Sequence, residues 1–212
     1  MDKNRAKRNR QLGEQIIKSL KQRNMEGYYA ETKEEALKIA LDIIPKGASC
    51  AWGGAKSVAE IGLKDAVLEG DYKAYNREAA PNPQEKRAIE LTSFDVDFFL
   101  TGTNALSMDG EMVNIDGFGN RVAAIAYGPR NVLVIAGMNK VVKTLEDAWK
   151  RARNEAAPIN SQRFELSTPC NKTGMCYDCK SADTICCQFL VTRFSKVPNR
   201  IKVILVNDNL GF

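Results

Sequence analysis

The strongest constraint on this chain is a set of short apolar runs, each bounded by turn residues and separated by stretches of helical period. They are Ala48-Ser49-Cys50-Ala51-Trp52, Asp95-Val96-Asp97-Phe98-Phe99-Leu100-Thr101, Val122-Ala123-Ala124-Ile125-Ala126-Tyr127, Asn131-Val132-Leu133-Val134-Ile135-Ala136 and Ile201-Lys202-Val203-Ile204-Leu205-Val206. A strand that is apolar on nearly every residue has no face left for water, so it belongs in a parallel sheet covered on both sides. With helices between such strands, the fold class is α/β, with a mostly parallel sheet and helices on both faces.

The intervening segments support this order. Residues 4–24 read as a helix, with Leu12, Ile16 and Leu20 four apart beside Ile17. Thr32-Lys33-Glu34-Glu35 has the form of a helix-capping box, and Pro45 with Gly47 ends the helix that follows. Ser57 opens a helix carrying Val58, Ile61 and Leu63. Residues 72–76 read as a short strand, 84–91 and 140–157 as helices, and 188–194 as a further strand. The last run, 201–206, is expected to return to the main sheet. At 212 residues the chain suits one domain. It divides into a basic amphipathic helix at 1–26 and an α/β domain at 27–212, with a cysteine-rich insertion at about 168–187.

The formal charge is +5, and it is concentrated at one end. Residues 1–23 hold eight basic and two acidic side chains, so the remainder is close to neutral. A nucleic-acid protein shows its basic surface across its body, so no nucleic-acid partner is expected. The N-terminal segment reads either as a docking element for an acidic partner or as a solvated helix face. No apolar run approaches bilayer length, so no membrane span is expected, and the charged N-terminus lacks the pattern of a secretion signal. The expected location is the cytoplasm, where thiols stay reduced unless they bind metal or do redox chemistry.

The chain has no histidine. That removes Ser-His and Cys-His mechanisms within one chain and leaves carboxylates, Lys, Cys or Tyr as general bases. Soft-metal ligation would fall to cysteine. Five of the six cysteines lie in the pattern Cys170-x5-Cys176-x2-Cys179-x6-Cys186, with Cys187 adjacent. Four thiolates close a tetrahedral zinc site or hold an iron–sulfur cluster, so Cys170, Cys176, Cys179 and Cys186 are the candidate metal ligands. The competing readings are free thiols and a redox-active Cys176/Cys179 pair. Cys50 sits in a strand and reads as core.

In open parallel sheets, ligands bind beyond the carboxyl ends of the strands. Three glycine-punctuated loops qualify: 53–57, 102–104 and 117–121. In the first, Gly53 and Gly54 let the backbone approach an anion, with Ser57 as a further donor, or else they simply form a tight turn. In the second stretch, Asp109, Glu111 and Asp116 are candidate general bases. Thr103, Asn104, Asn114 and Asn120 are candidate hydrogen-bonding partners, and Arg121 is a candidate grip for a carboxylate. The same stretch contains Asp109-Gly110 and Asp116-Gly117, so a hairpin is expected there.

These stretches resemble the LUD-domain family, named from bacterial lactate-utilisation proteins. The match runs from about residue 10 to the end. It rests on Trp52-Gly53-Gly54 with Ser57, on Thr101-Gly102-Thr103-Asn104-Ala105, and on Val113-Asn114-Ile115-Asp116-Gly117 with Gly119-Asn120-Arg121-Val122-Ala123. Pro169-Cys170 through Cys186 and Val203-Ile204-Leu205-Val206-Asn207-Asp208 also match. The resemblance implies a fold similar to ribose-5-phosphate isomerase, glucosamine-6-phosphate deaminase and the CoA transferases. It also implies a component of L-lactate or related hydroxy-acid utilisation, working beside iron–sulfur partner proteins and binding a small anionic metabolite. It carries over no catalytic residues. A sugar-phosphate isomerase-like enzyme and a non-enzymatic binding or regulatory module remain the alternatives, and a homo-oligomer is compatible with all three.

Overall fold

The computed structural model describes residues 2–212; Met1, the first residue of the 1–26 segment, lies outside the described residues. The order of elements is α1 (Lys3–Gln22), β1 (Glu26–Ala30), α2 (Lys33–Ile43), β2 (Ser49–Trp52), α3 (Lys56–Glu60), α4 (Leu63–Glu69), β3 (Lys73–Tyr75), α5 (Pro83–Thr92), β4 (Phe98–Gly102), β5 (Ala105–Ser107) and β6 (Met112–Asp116). There follow α6 (Asn120–Ala126), β7 (Asn131–Gly137), β8 (Val141–Val142), α7 (Leu145–Arg151), α8 (Ala157–Ser161), α9 (Pro169–Thr173), β9 (Gln188–Thr192) and β10 (Ile201–Val206).

Six strands form one sheet in the order β1-β10-β7-β4-β2-β3, and every neighbouring pair is parallel. Alternate side chains of each strand point to opposite faces, and the two faces carry separate cores. Cys50, Trp52, Phe98, Leu100, Leu133, Ile135, Ile204 and Val206 pack against α2, α3 and α4 through Ala36, Ala40, Val58, Leu63 and Val67. Their sequence neighbours Ala51, Phe99, Val132, Val134, Val203 and Leu205 pack on the other face, against Ile16 and Leu20 of α1 and Ala124 and Ile125 of α6. Each fully buried Leu or Ile contributes roughly 1.5–3 kcal/mol. The runs are apolar throughout because both faces are covered.

The expected mostly parallel sheet with helices on both faces is therefore present, and β10 returns to it as an interior strand, between the edge strand β1 and β7. Helix α1 is part of this core, since Ile16 and Leu20 are fully buried. Thr32 caps α2 by accepting from the Glu35 N–H at 3.2 Å, while the Glu35 carboxylate reaches back to the N–H of Glu31.

One strand expected from the sequence is a helix. Residues 120–126 form α6, although Val122-Ala123-Ala124-Ile125-Ala126 is a continuous apolar run. Such a run does not distinguish strand from helix, and three alanines favour helix. The local chemistry decides the outcome. Gly119 takes a left-handed conformation (φ 85°), and the Asp116 carboxylate accepts from the N–H groups of Arg121 and Val122 at 2.9 and 3.1 Å. The burial then follows helical spacing, with Val122 and Ile125 inward and Ala123 and Ala126 outward.

A second, four-stranded sheet runs β8-β5-β6-β9. The Asp109-Gly110 hairpin joins its antiparallel β5 and β6, with Gly110 at φ 86°. β9 adds antiparallel to β6, so the strand read at 188–194 belongs here rather than to the main sheet. A continuous helical rod covers this sheet, formed by α7, a π-helical turn at Ala152–Ala156, and α8. Pro158 has no N–H to return to the preceding turn, which accounts for a change of helical pitch just before it.

Candidate functional site

A cavity of about 820 Å³ opens at the carboxyl ends of the four central strands. Residues just beyond each of them line it: Gly54, Ala55, Lys56 and Ser57 after β2, Gly102, Thr103 and Asn104 at and after β4, Lys140 after β7, and Gly211 and Phe212 after β10. The opposite wall comes from Ile115 to Phe118, Asn120 and Arg121, from Asn160 at the end of the rod, and from Arg163 and Phe164 just beyond it. The segment from Ala182 to Ile185 and Cys187 completes it. Ser57 and Asp116, which the sequence places on separate loops, face one space.

Arg121 organises this wall and has no donor to spare. Its Nε donates to Asp116 Oδ1 at 3.0 Å. One terminal nitrogen donates to Asn114 Oδ1 at 2.6 Å and the Gly102 carbonyl at 3.4 Å, and the other to the Ile115 carbonyl at 2.8 Å and Asn104 Oδ1 at 3.2 Å. The guanidinium is a bolt between the main sheet, the second sheet and α6, rather than a free grip. Asp116 is equally committed: it takes the Arg121 Nε and caps α6. Asn114 is buried, and its amide oxygen faces Arg121 rather than the cavity. Gly53 lies against the same side chain. A Cβ there would come within 2.9 Å of Arg121 Cγ and Cδ, so this glycine leaves room for an arginine stem.

Lys140, which no sequence motif singles out, is a buried charge lining the cavity. It is only 4% exposed, and its Nζ donates to Ser57 Oγ at 3.0 Å. No carboxylate among the described residues lies within ion-pair distance of it. Burial, reinforced by the Arg151 and Arg121 guanidinium groups and only partly offset by Glu60, pulls its pKa from 10.5 down to about 7. Arg151, also buried, is fixed by the Asn139 and Asn104 carbonyls and by Glu155. The sequence signal that could have found Lys140 is its place beyond the carboxyl end of the most apolar strand, a loop that the same rule covers.

Asp109 and Glu111 are elsewhere. Both pair with Arg23 at the end of α1, and Glu111 also accepts from the Ser107 hydroxyl at 3.1 Å. Asp109 lines a separate groove beside Arg8, Leu12 and Met108. Thr103 and Asn120 do line the cavity, but Thr103 Oγ1 donates to the Ala105 and Val113 carbonyls, and the Asn120 amide reaches Glu90 at 3.3 Å.

The cysteine segment is a wall of the site. The Cys187 N–H donates to the Asp116 carbonyl at 2.9 Å, and Ile185 packs against Gly117. Burial pushes the Cys186 thiol up to about 11, and the neighbouring Cys176, Cys170, Cys179 and Cys187 add to the rise. Hydrogen bonds from Ser181 and Thr184 lower Cys179. Among the described residues, no three of the His, Cys, Asp and Glu side chains are arranged as a coordination shell. Cys50 is a fully buried core residue, as expected.

A doubly covered parallel sheet with a polar cavity across its carboxyl edge defines an α/β architecture whose candidate site lies at that edge. The model of the LUD domain matches residues 13–206. The chain therefore belongs to the LUD-domain family, the family associated with lactate utilisation. No curated protein sequence matches it. Among solved structures, a DUF162 family protein from Deinococcus radiodurans is similar over 94% of this chain and 98% of its own, with a TM-score of 0.55 and 12% identity, a likeness of fold. eIF2B beta from Chaetomium thermophilum aligns with 54% of this chain and 44% of its own at TM-score 0.39 and 15% identity. A D-ribose-5-phosphate isomerase in complex with phospho-erythronic acid aligns with 56% and 61% at TM-score 0.35 and 17% identity. No helix among the described residues is long and apolar enough to cross a membrane.

Proposed function

We propose that this chain binds a small carboxylic acid of the hydroxy-acid or oxo-acid class in the carboxyl-edge cavity, as a component of L-lactate utilisation. The observation that carries the reading is Lys140: a buried amine lining the cavity, hydrogen-bonded to Ser57 and without a carboxylate partner among the described residues. A buried cation is costly unless it is paired, and an anionic ligand supplies the missing partner. The lining holds Lys56, Arg77, Lys86, Arg121, Lys140 and Arg163 against Glu78, Glu90, Asp116 and Asp183, a positive balance that favours an anion. Asn104 Nδ2, with no acceptor among the described residues, adds a donor at the wall.

The isomerase-like reading draws no comparable support. Two of its three candidate bases face Arg23, and Asp116 is occupied by Arg121 and the start of α6. A detachable docking helix fits poorly with Ile16 and Leu20 in the core.

The test is thermal unfolding with L-lactate, pyruvate and a sugar phosphate, for the wild type and Lys140→Met. A ligand at a hundredfold excess over its Kd adds about 2.7 kcal/mol. Stabilisation by the small acids is expected in the wild type and is lost in the variant. No response to any of these anions overturns the reading.

A further inference from the structure

We propose that Lys140 is a nucleophile that captures the carbonyl carbon of a 2-oxo acid as an imine, with Ser57 relaying the proton. This deepens the small-acid reading of the cavity and rests on it.

Three features of the site converge. The amine is buried yet lines a cavity large enough for a ligand, and it hydrogen-bonds to a hydroxyl rather than a carboxylate. A lysine salt-bridged to an acid is held as an ammonium; this one is not. Two glycines keep side chains away from the pair. A Cβ on Gly211 would lie 2.8 Å from Ser57 Oγ and 3.0 Å from Lys140 Nζ, and one on Gly102 would lie 3.5 and 3.7 Å from the same atoms. The surroundings also favour the free amine, because burial and then the Arg151 and Arg121 charges oppose protonation and bring the pKa down to about 7. Desolvation and neighbouring cations are the means by which a lysine becomes a nucleophile near neutral pH.

The step balances without an oxidant. The Nζ lone pair attacks C2 of the oxo acid, and the carbonyl oxygen gains a proton to give a carbinolamine. That proton comes from Nζ through Ser57 Oγ; the second Nζ proton follows the same hydroxyl to the C2 oxygen, which leaves as water, and a C=N bond remains. A 2-hydroxy acid has no carbonyl at C2 and cannot react, so the same cavity would hold lactate reversibly and pyruvate covalently.

The experiment is reductive trapping of the full-length protein with pyruvate and borohydride, read by intact mass and peptide mapping. A single adduct on the peptide containing Lys140 is expected, with L-lactate giving none. Ser57→Ala should slow trapping by ~10²-fold or more at saturating pyruvate, the usual contribution of a positioned proton-transfer group. Mapping in the wild type does not depend on any variant folding. Lys140→Arg, which keeps the charge but has no nucleophilic amine, should form no adduct. Pyruvate stabilisation without an adduct, or adducts scattered over surface lysines and unchanged in Lys140→Arg, overturns the nucleophile and leaves the binding reading intact. Neither stabilisation nor an adduct overturns both.

Discussion

Gly53 and Arg121 meet at the seam between the main sheet and α6, and the arginine stem runs through the space a side chain at position 53 would fill. The glycine pair in the loop after β2 is therefore asymmetric. A Cβ at Gly53 would press on Arg121 Cγ and Cδ at 2.9 Å, whereas one at Gly54 would find only an Arg77 nitrogen at 3.7 Å. Gly53→Ala is expected to cost about 1–3 kcal/mol, the usual range for overpacking a filled site. Gly54→Ala should stay within about 0.5 kcal/mol, like other changes away from such features. Urea unfolding of the two variants checks this; equal effects would mean that the Arg121 contact does not set the requirement for glycine.

Arg121 is expected to be a stability residue first. Its guanidinium and Asp116 are both nearly buried, at 11% and 13% side-chain exposure, and their hydrogen bonds join three elements. Removing one partner of a buried ion pair costs about 3–5 kcal/mol because the other is left uncompensated. Arg121→Ala should lose that much in chemical denaturation. Arg121→Lys should recover little, since an ammonium cannot reproduce the planar fork that reaches Asp116, Asn114, Asn104 and Ile115 together. A mildly destabilised Arg121→Ala that loses only ligand binding would return Arg121 to the gripping role expected from the sequence.

What the sequence disclosed follows the reach of each signal. Strand β7 is legible because Val132 to Ala136 are apolar on both faces, and burial on both faces is a property of a parallel sheet that any single strand displays. Helix α6 reads as a strand for the same reason: a buried helix turn and a buried strand share that apolar signature, and the deciding groups, Gly119 and the Asp116 carboxylate, act through geometry. The carboxyl-edge rule brings Ser57, Asn104, Asp116 and Arg121 to one cavity. It cannot show that Arg23, far away in sequence, draws Asp109 and Glu111 to α1, or that the buried Lys140 meets Ser57 rather than a carboxylate. Those are pairings between distant segments, and composition along the chain does not encode them.

The cysteine segment should show ordered reactivity. In chelator-treated, reduced protein, Cys179 is expected to alkylate ahead of Cys186, because hydrogen bonds from Ser181 and Thr184 favour its thiolate while burial pushes Cys186 up to about 11. Cys50, fully buried and raised to about 12 by burial and then by Asp97, should react only on unfolding. Timed alkylation with peptide mapping reads the order. Metal and sulfide analysis of protein purified without air addresses the zinc and iron–sulfur readings of Cys170, Cys176, Cys179 and Cys186. Stoichiometric metal with protection of those four thiols would support them; metal-free protein with Cys179 freely reactive would retire them.

The last expectation is a dependence on pH. Lys140 is depressed from 10.5 to about 7 by burial, then by Arg151 on α7 and Arg121 on α6, with Glu60 on α3 acting the other way. Between those two values the unfolded chain holds a proton on this lysine that the folded chain has released, so its contribution to stability rises with pH across that window. Below about 7 both states are protonated, and the folded protein bears the full cost of a buried ammonium. Lys140→Met removes the cost and the dependence together. The variant should therefore exceed the wild type in stability by a few kcal/mol near neutral pH, because each pH step of one across the window is worth about 1.4 kcal/mol. The gap should close toward pH 10.5, the upper end of that window. Lactate, which pairs with the ammonium, should bind less tightly as pH rises through about 7, while imine trapping of pyruvate, which needs the free amine, should become faster. Urea midpoints and both ligand assays across that range check these slopes. A wild-type–variant difference that does not change with pH would show that Lys140 titrates alike in both states and is open to water.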